Sequence, residues 1–226
     1  KAYQKFHDML LDSSDQNWRC ADPRYRKVRE FLTETYVNAV RSWGLDGLKL
    51  DFIDAFKLNG KSLEDDPRRD YTSLEDAIDA LMSEVTAALR KINPEILIEF
   101  RQSYIGPTIR KYGNMLRVGD CPNDAIRNRC AVVDMRLTSG KTPVHSDMLM
   151  WNYGDTVESA ALQFASVLYS VPQISMLIDR LSDEHFEMLR YYLGFWREHR
   201  KILLDGRLTA TNPESCYGIV RADLDM

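Results

Sequence analysis

The chain lacks the marks of several large protein classes. Its four cysteines, Cys20, Cys121, Cys130 and Cys216, stand far apart and form no C-x-x-C pair, which argues against a zinc knuckle or a dithiol redox motif. They are expected as free thiols, with a Cys20–Cys121 disulfide left open. No run approaches the ~18 apolar residues of a membrane span, so no membrane partner is expected. Basic excess is missing as well. Thirty Lys and Arg against 34 Asp and Glu leave a formal charge of −4, whereas a nucleic-acid surface needs a clustered basic face. There is no G-x-G-x-x-G turn and no P-loop, which counts against a nucleotide-binding doubly wound sheet. Internal repeats and low-complexity tracts are absent too.

What is present is the balance of a globular protein, 44 % hydrophobic and 28 % charged over 226 residues. That length allows one large core or two small domains. Helical and strand-like segments alternate from residue 23 to 200. The first helix follows Asp22 as N-cap and Pro23 in the first turn, and stops at Gly44. Val28, Phe31, Leu32, Ala39, Val40 and Trp43 make its apolar stripe. A polar loop, "LNGKSLEDDPRRDYTS", leads to a helix capped by Ser73, with Leu74, Ile78, Leu81, Val85, Leu89 and Ile92 facing inward. A third helix, over 123–138, puts Ile126, Cys130, Val133 and Leu137 on one face. A fourth covers 155–170, and a fifth runs from its Ser182 cap to about residue 200 with Phe186, Leu189, Leu193 and Trp196.

Five strands are expected between them, near 46–52, 95–101, 114–119, 143–149 and 173–178. Strand alternating with helix predicts a parallel sheet with helical crossovers. A (β/α)8 barrel has eight strands over ~250 residues, so this α/β chain reads as its C-terminal portion of about five βα units. The texture then turns to short β-like pieces. The expected division is a partial barrel over 1–204 and the start of an antiparallel β domain over 205–226. The opening at Lys1 and the close inside a strand-like pattern fit a cut chain, so whether the fragment turns over by itself stays open.

The stretch "GLDGLKLDFIDAF" at 44–56 carries Lys49 and Asp51 inside an apolar run, although burying unpaired charge costs several kcal/mol. Side chains alternate along a strand, so Lys49 and Asp51 share a face. By the same rule Glu99 and Arg101 share one, Arg117 opposes Leu116 and Val118 with Asp120 just beyond, and His145 and Asp147 share another. In four strands the charges gather toward the C-terminal end, which is the polarity of a (β/α)8 active site. Two carboxyls at such a mouth can divide the work of nucleophile and acid in glycoside hydrolysis. Structural roles compete with this. Asp51 as a turn cap with Lys49 as its ion partner, a Glu99–Arg101 salt bridge, and His145 as a rim or core histidine all stay open, as does a metal-dependent hydrolase using His145, Asp147 and Asp51.

"GLDGLKLDF" resembles the nucleophile strand of the melibiase-type α-galactosidases, retaining glycosidases of clan D, with their K-x-D after an apolar strand. "NMLRVGD" is similar to their acid/base strand, and "HSDMLMW" and "FEMLRYYLGFWREHRKILLDG" to the later part of that catalytic domain. The resemblance covers roughly residues 20–206. It implies a (β/α)8 barrel followed by an antiparallel β domain, with the nucleophile after the fourth strand and the acid/base after the sixth. Counted back from the last strand as the eighth, Asp51 and Asp120 take those places. Carried over, Asp51 is the nucleophile, Asp120 the acid/base, and Lys49 and Arg117 are sugar ligands; the strand-end charges add Arg101 and Asp147 as substrate-binding candidates. Many members set the acid/base one residue further from the arginine, so Asp124 stays in contention, with a helix-capping role as its alternative. The implied partner is a carbohydrate, an α-galactoside or related sugar, and no metal or other cofactor is required. The rival reading is a carbohydrate-binding or inactive barrel.

Overall fold

A computed structural model describes residues 2–12 and 19–224. Two compact units emerge: the chain up to Phe100 with Gly106–Gly113, and Arg101–Ile105 with the chain from Asn114 onward.

The first unit opens with α1 (Ala2–Lys5) and α2 (Arg26–Trp43). Helix α2 ends as expected, at Gly44 in the left-handed region (φ 62°), where a side chain would be strained. It begins differently. Tyr25 is the N-cap residue and Asp22 does not cap the helix. Asp22 is fully buried and grips the Arg24 guanidinium at 2.8 Å, and Arg24 reaches on to the carbonyl of Ser62 at 2.7 Å. A buried carboxylate gains more from a guanidinium than from lone N–H groups. The expected stripe holds at Val28 and Val40, but Trp43 at the last turn is 74 % exposed.

Strands β1 (Gly47–Lys49) and β2 (Leu97–Arg101) pair in parallel, Gly47 opposite Leu97 and Lys49 opposite Glu99. A Cβ on Gly47 would lie 2.8 Å from Leu97 Cβ, so glycine permits this close approach. Between them runs α3 (Leu74–Arg90), whose cap Ser73 accepts from the Asp76 N–H. Leu74, Leu81, Val85 and Leu89 are buried as their spacing predicts. The polar loop is ordered by ion pairs: Arg29 binds Asp70 at 2.7 Å and Arg68 binds Asp66 at 2.7 Å.

In the second unit β3 (Met115–Arg117), β4 (Val144–Leu149) and β5 (Val171–Ile174) are parallel neighbours in that order. Helices α4 (Ala125–Thr138) and α5 (Val157–Ala165) connect them, and α6 (Asp183–Asp205) follows. Asp124, Thr156 and Ser182 cap these helices through their side chains. The face of α4 differs from the expected one. Ile126 and Leu137 are 58 % and 49 % exposed, and the buried residues are Asn128, Val132, Val133 and Met135. A polar residue leads that face, so hydrophobicity alone misplaced it. The antiparallel pair β6 (Arg207–Thr211) and β7 (Ile219–Asp223) comes after α6. All four cysteines are free thiols, and no helix among the described residues is long and apolar enough to cross a membrane.

Candidate active site

Parallel strands end on one side of each unit, and their charged side chains collect there. In the first unit Lys49 is the last residue of β1, and its Nζ lies 3.1 Å from Asp51 Oδ2. The Phe52 N–H donates to Asp51 Oδ1 at 2.8 Å. Phe52 itself takes a left-handed backbone (φ 57°) and is 58 % exposed. That turn halts the strand and starts a short 3-10 turn over Ile53–Ala55. Beneath Asp51 an apolar cavity of about 170 Å³ is lined by Cys20, Tyr36, Leu50, Phe56 and Met82 among others.

In the second unit four sequence-predicted residues meet. Arg117, the last residue of β3, donates from Nη2 to Asp120 Oδ1 at 2.7 Å and from Nη1 to Asp147 Oδ1. Arg101 Nη1 stands 3.6 Å from Asp120 Oδ2. Burial separates the two carboxylates sharply: Asp120 is 57 % exposed, Asp147 wholly buried and Arg117 only 4 % exposed. Asp147 also accepts from the Cys121 N–H through Oδ2. The Cys121 thiol is pushed up to about 12 by its burial and by the nearby Asp147 charge.

The strand alternation that puts His145 and Asp147 on one face does not hold in β4. The ladder to β5 slips between His145 and Met148, a β-bulge, and Ser146 and Asp147 are consecutive buried residues. Asn128 of α4 braces the bulge, accepting from the Asp147 N–H at 3.1 Å and donating to its carbonyl at 3.4 Å. Ser146 Oγ accepts from the Gln173 N–H at 3.0 Å. A bulge re-aims a side chain, and here it sends Asp147 inward under the Asp120 loop.

Sequence reasoning missed two supports. Gln102 Oε1 accepts from the Gly119 N–H at 3.1 Å, and its own N–H donates to the Arg117 carbonyl at 2.8 Å; nothing in its sequence context marked it. Asn128 carried a signal, its helical register with Val132 and Met135, but the apolar stripe through Ile126 and Leu137 pointed to the other face. Asp124 accepts from the Arg127 N–H at 2.9 Å as the N-cap of α4. Trp151 is buried, 5.9 Å from the His185 ring, while Tyr153 is 43 % exposed. Among the described residues no group of three or more His, Cys, Asp or Glu side chains is placed to hold a metal ion.

No protein-family model matches the chain, and no curated protein matches it in sequence. Solved structures do match in fold. The GH36 α-galactosidase AgaA from Geobacillus stearothermophilus superposes with a TM-score of 0.73 at 16 % identity, over 95 % of this chain and 31 % of that one. The galactosidase domain of the α-galactosidase–sucrose kinase AgaSK gives 0.73 at 14 % identity, over 95 % and 30 %. The α-galactosidase from Lactobacillus brevis gives 0.70 at 14 %, over 94 % and 30 %. AgaA variants carry raffinose, stachyose or 1-deoxygalactonojirimycin in their structures. The chain thus spans about 30 % of the length of these enzymes. Five parallel strands with their helices and the antiparallel pair after α6 have the fold of the C-terminal portion of a (β/α)8 barrel leading into a β domain, as found in α-galactosidases.

Proposed function

We propose that this chain carries the catalytic carboxyls of a retaining glycoside hydrolase acting on α-linked galactosides. The observation that supports it most is Asp120, an exposed carboxylate at the end of a barrel strand, held by two arginines of which one is buried and braced from below. A salt bridge serving stability alone would need no exposed carboxylate at the strand mouth. The likeness in fold to α-galactosidases is what supports this choice of substrate class.

In this reading Asp51 attacks the anomeric carbon, while Asp120 protonates the departing oxygen. A glycosyl ester on Asp51 forms as the glycosidic bond breaks. Asp120, now a carboxylate, takes a proton from water, and that water cleaves the ester. Lys49, ion-paired to Asp51 at 3.1 Å, offers a donor to a sugar hydroxyl. Arg101, 3.6 Å from Asp120 Oδ2, is placed to turn onto the hydroxyls of an incoming sugar, while Arg117 stays in place because Asp147 balances it. Asp147 has no exposed surface, so its contribution to binding passes through Arg117 and the Cys121 amide.

The experiment is nucleophile replacement in the full-length protein. Asp51→Gly should lose turnover of an aryl α-galactoside by on the order of 10⁴–10⁶-fold. Azide should then restore part of the rate and yield the β-galactosyl azide. Near-normal hydrolysis by folded Asp51→Asn would remove Asp51 from the mechanism.

A further inference from the structure

Away from the candidate active site, the loop joining β6 to β7 is held against α4 by residues that bracket a pair of thiols. Arg129 donates from Nε to the Cys216 carbonyl at 3.3 Å and from Nη2 to the Tyr217 carbonyl at 2.6 Å. One helical turn on, Asp134 accepts from the Tyr217 hydroxyl. Between these anchors sits Cys130, on the stretch of α4 that the loop tip carrying Cys216 lies against. Cys130 is half-buried on α4, and Cys216 is exposed at the loop tip. Both Cys216 and Tyr217 are in the left-handed backbone region (φ 59° and 61°), which non-glycine residues occupy only when their surroundings hold them there. Gly218 next to them has open space around its Cα, so the tip has room to adjust.

We propose that Cys130 and Cys216 are a disulfide site, closed by thiol–disulfide exchange with a low-molecular-weight disulfide such as oxidised glutathione, and that the bond pins the β6–β7 hairpin to α4. Bonds and electrons balance in two exchanges. The Cys216 thiolate attacks one sulfur of the small disulfide, forming a mixed disulfide and releasing one thiolate. The Cys130 thiolate then attacks the Cys216 sulfur, forming the internal bond and releasing the second. The protein thiols are oxidised, the small disulfide is reduced to two thiols, and the two protons lost by the cysteines end on those thiols. Exposure makes Cys216 the first attacker. Burial, and then the contact with Cys216, raises the Cys130 thiol, which suits the resolving role. The bond would close a loop of about 86 residues, long enough to restrict the unfolded chain strongly. Cys121, buried and raised further, and Cys20, in the other unit, stay thiols.

The test equilibrates the native chain in glutathione redox buffers, traps free thiols with N-ethylmaleimide, and maps the peptides by mass spectrometry beside a melting curve. The expected result is a linked Cys130–Cys216 peptide pair and a Tm raised by roughly 5–15 °C, both reversed by dithiothreitol. Cys130→Ser should leave a lasting glutathione adduct on Cys216 and no rise in Tm. A lasting adduct on Cys216 of the unaltered chain, linkage through Cys20 or Cys121 instead, or a linked chain that melts below the reduced one would overturn the proposal. None of these readouts depends on glycosidase activity.

Discussion

Replacing Asp147 by alanine should be among the most damaging single changes in the second unit. The carboxylate is wholly buried and its partner Arg117 is only 4 % exposed. Its removal strips one charge-assisted hydrogen bond from the guanidinium and another from the Cys121 N–H. Breaking such a buried pair costs about 3–5 kcal/mol. For a chain of this size that is a fall in Tm of roughly 6–20 °C. Asp120→Ala is the internal control. Its carboxylate meets the same Arg117 and Arg101 but is 57 % exposed, where such pairs contribute about 0–1 kcal/mol. Urea unfolding of both variants, with Arg117→Met and the Arg117→Met/Asp147→Ala pair, completes the measurement. The double variant should cost less than the sum of its singles, because neither charge is then left alone. If Asp147→Ala costs no more than Asp120→Ala, or if the two singles simply add, the buried pair does not support the site.

Asp120 and Asp124 should part company in kinetics. Asp120→Ala should cripple hydrolysis of α-galactosides with poor leaving groups and spare those with activated phenols, whereas Asp124→Ala should keep both rates in proportion and lose about 1 kcal/mol of stability with the cap of α4; the opposite pattern in a panel of aryl substrates would exchange their roles. Acid should weaken the first unit. The hydrogen bond from Arg29 holds the Asp70 carboxyl below its usual range, so that contribution is complete above the unfolded value near ~4 and fades as pH falls through the lower folded value. Urea midpoints taken between pH 5 and pH 2 should show the decline, and Asp70→Asn should flatten it.

The architecture was readable because each level repeated the same message. Ser73, Asp124 and Ser182 mark helix starts, and each caps one. Charges crowd the C-terminal ends of otherwise apolar strands, which sets the polarity of the site. Failures came where a polar group belongs to the interior. Asn128 occupies the buried face of α4 because Asp147 needs its amide, and a hydrophobic stripe points to Ile126 and Leu137 instead. Period-two alternation cannot foresee the slip between His145 and Met148, since a bulge is decided by what the neighbouring strand and helix offer. Asp22 looked like a cap because of its place before a helix. Arg24, Arg69 and the Ser62 carbonyl, which make it a buried anchor, come from chain up to forty-odd residues away.

Arg136 on α4 collects the carbonyls of Tyr169 after α5, Leu203 in the last turn of α6 and Gly206 just before β6. Burial lowers its proton affinity, yet an arginine still carries its charge, so these three acceptors solvate an ion. Peeling the hairpin away would take part of that solvation with it and disturb the end of α6 at the same time. The hairpin and the C-terminal turn of α6 should therefore open as one cooperative block. Their backbone amides are expected to share a single opening free energy, since a short two-stranded ribbon is marginal by itself and this one is tied to the helix that precedes it.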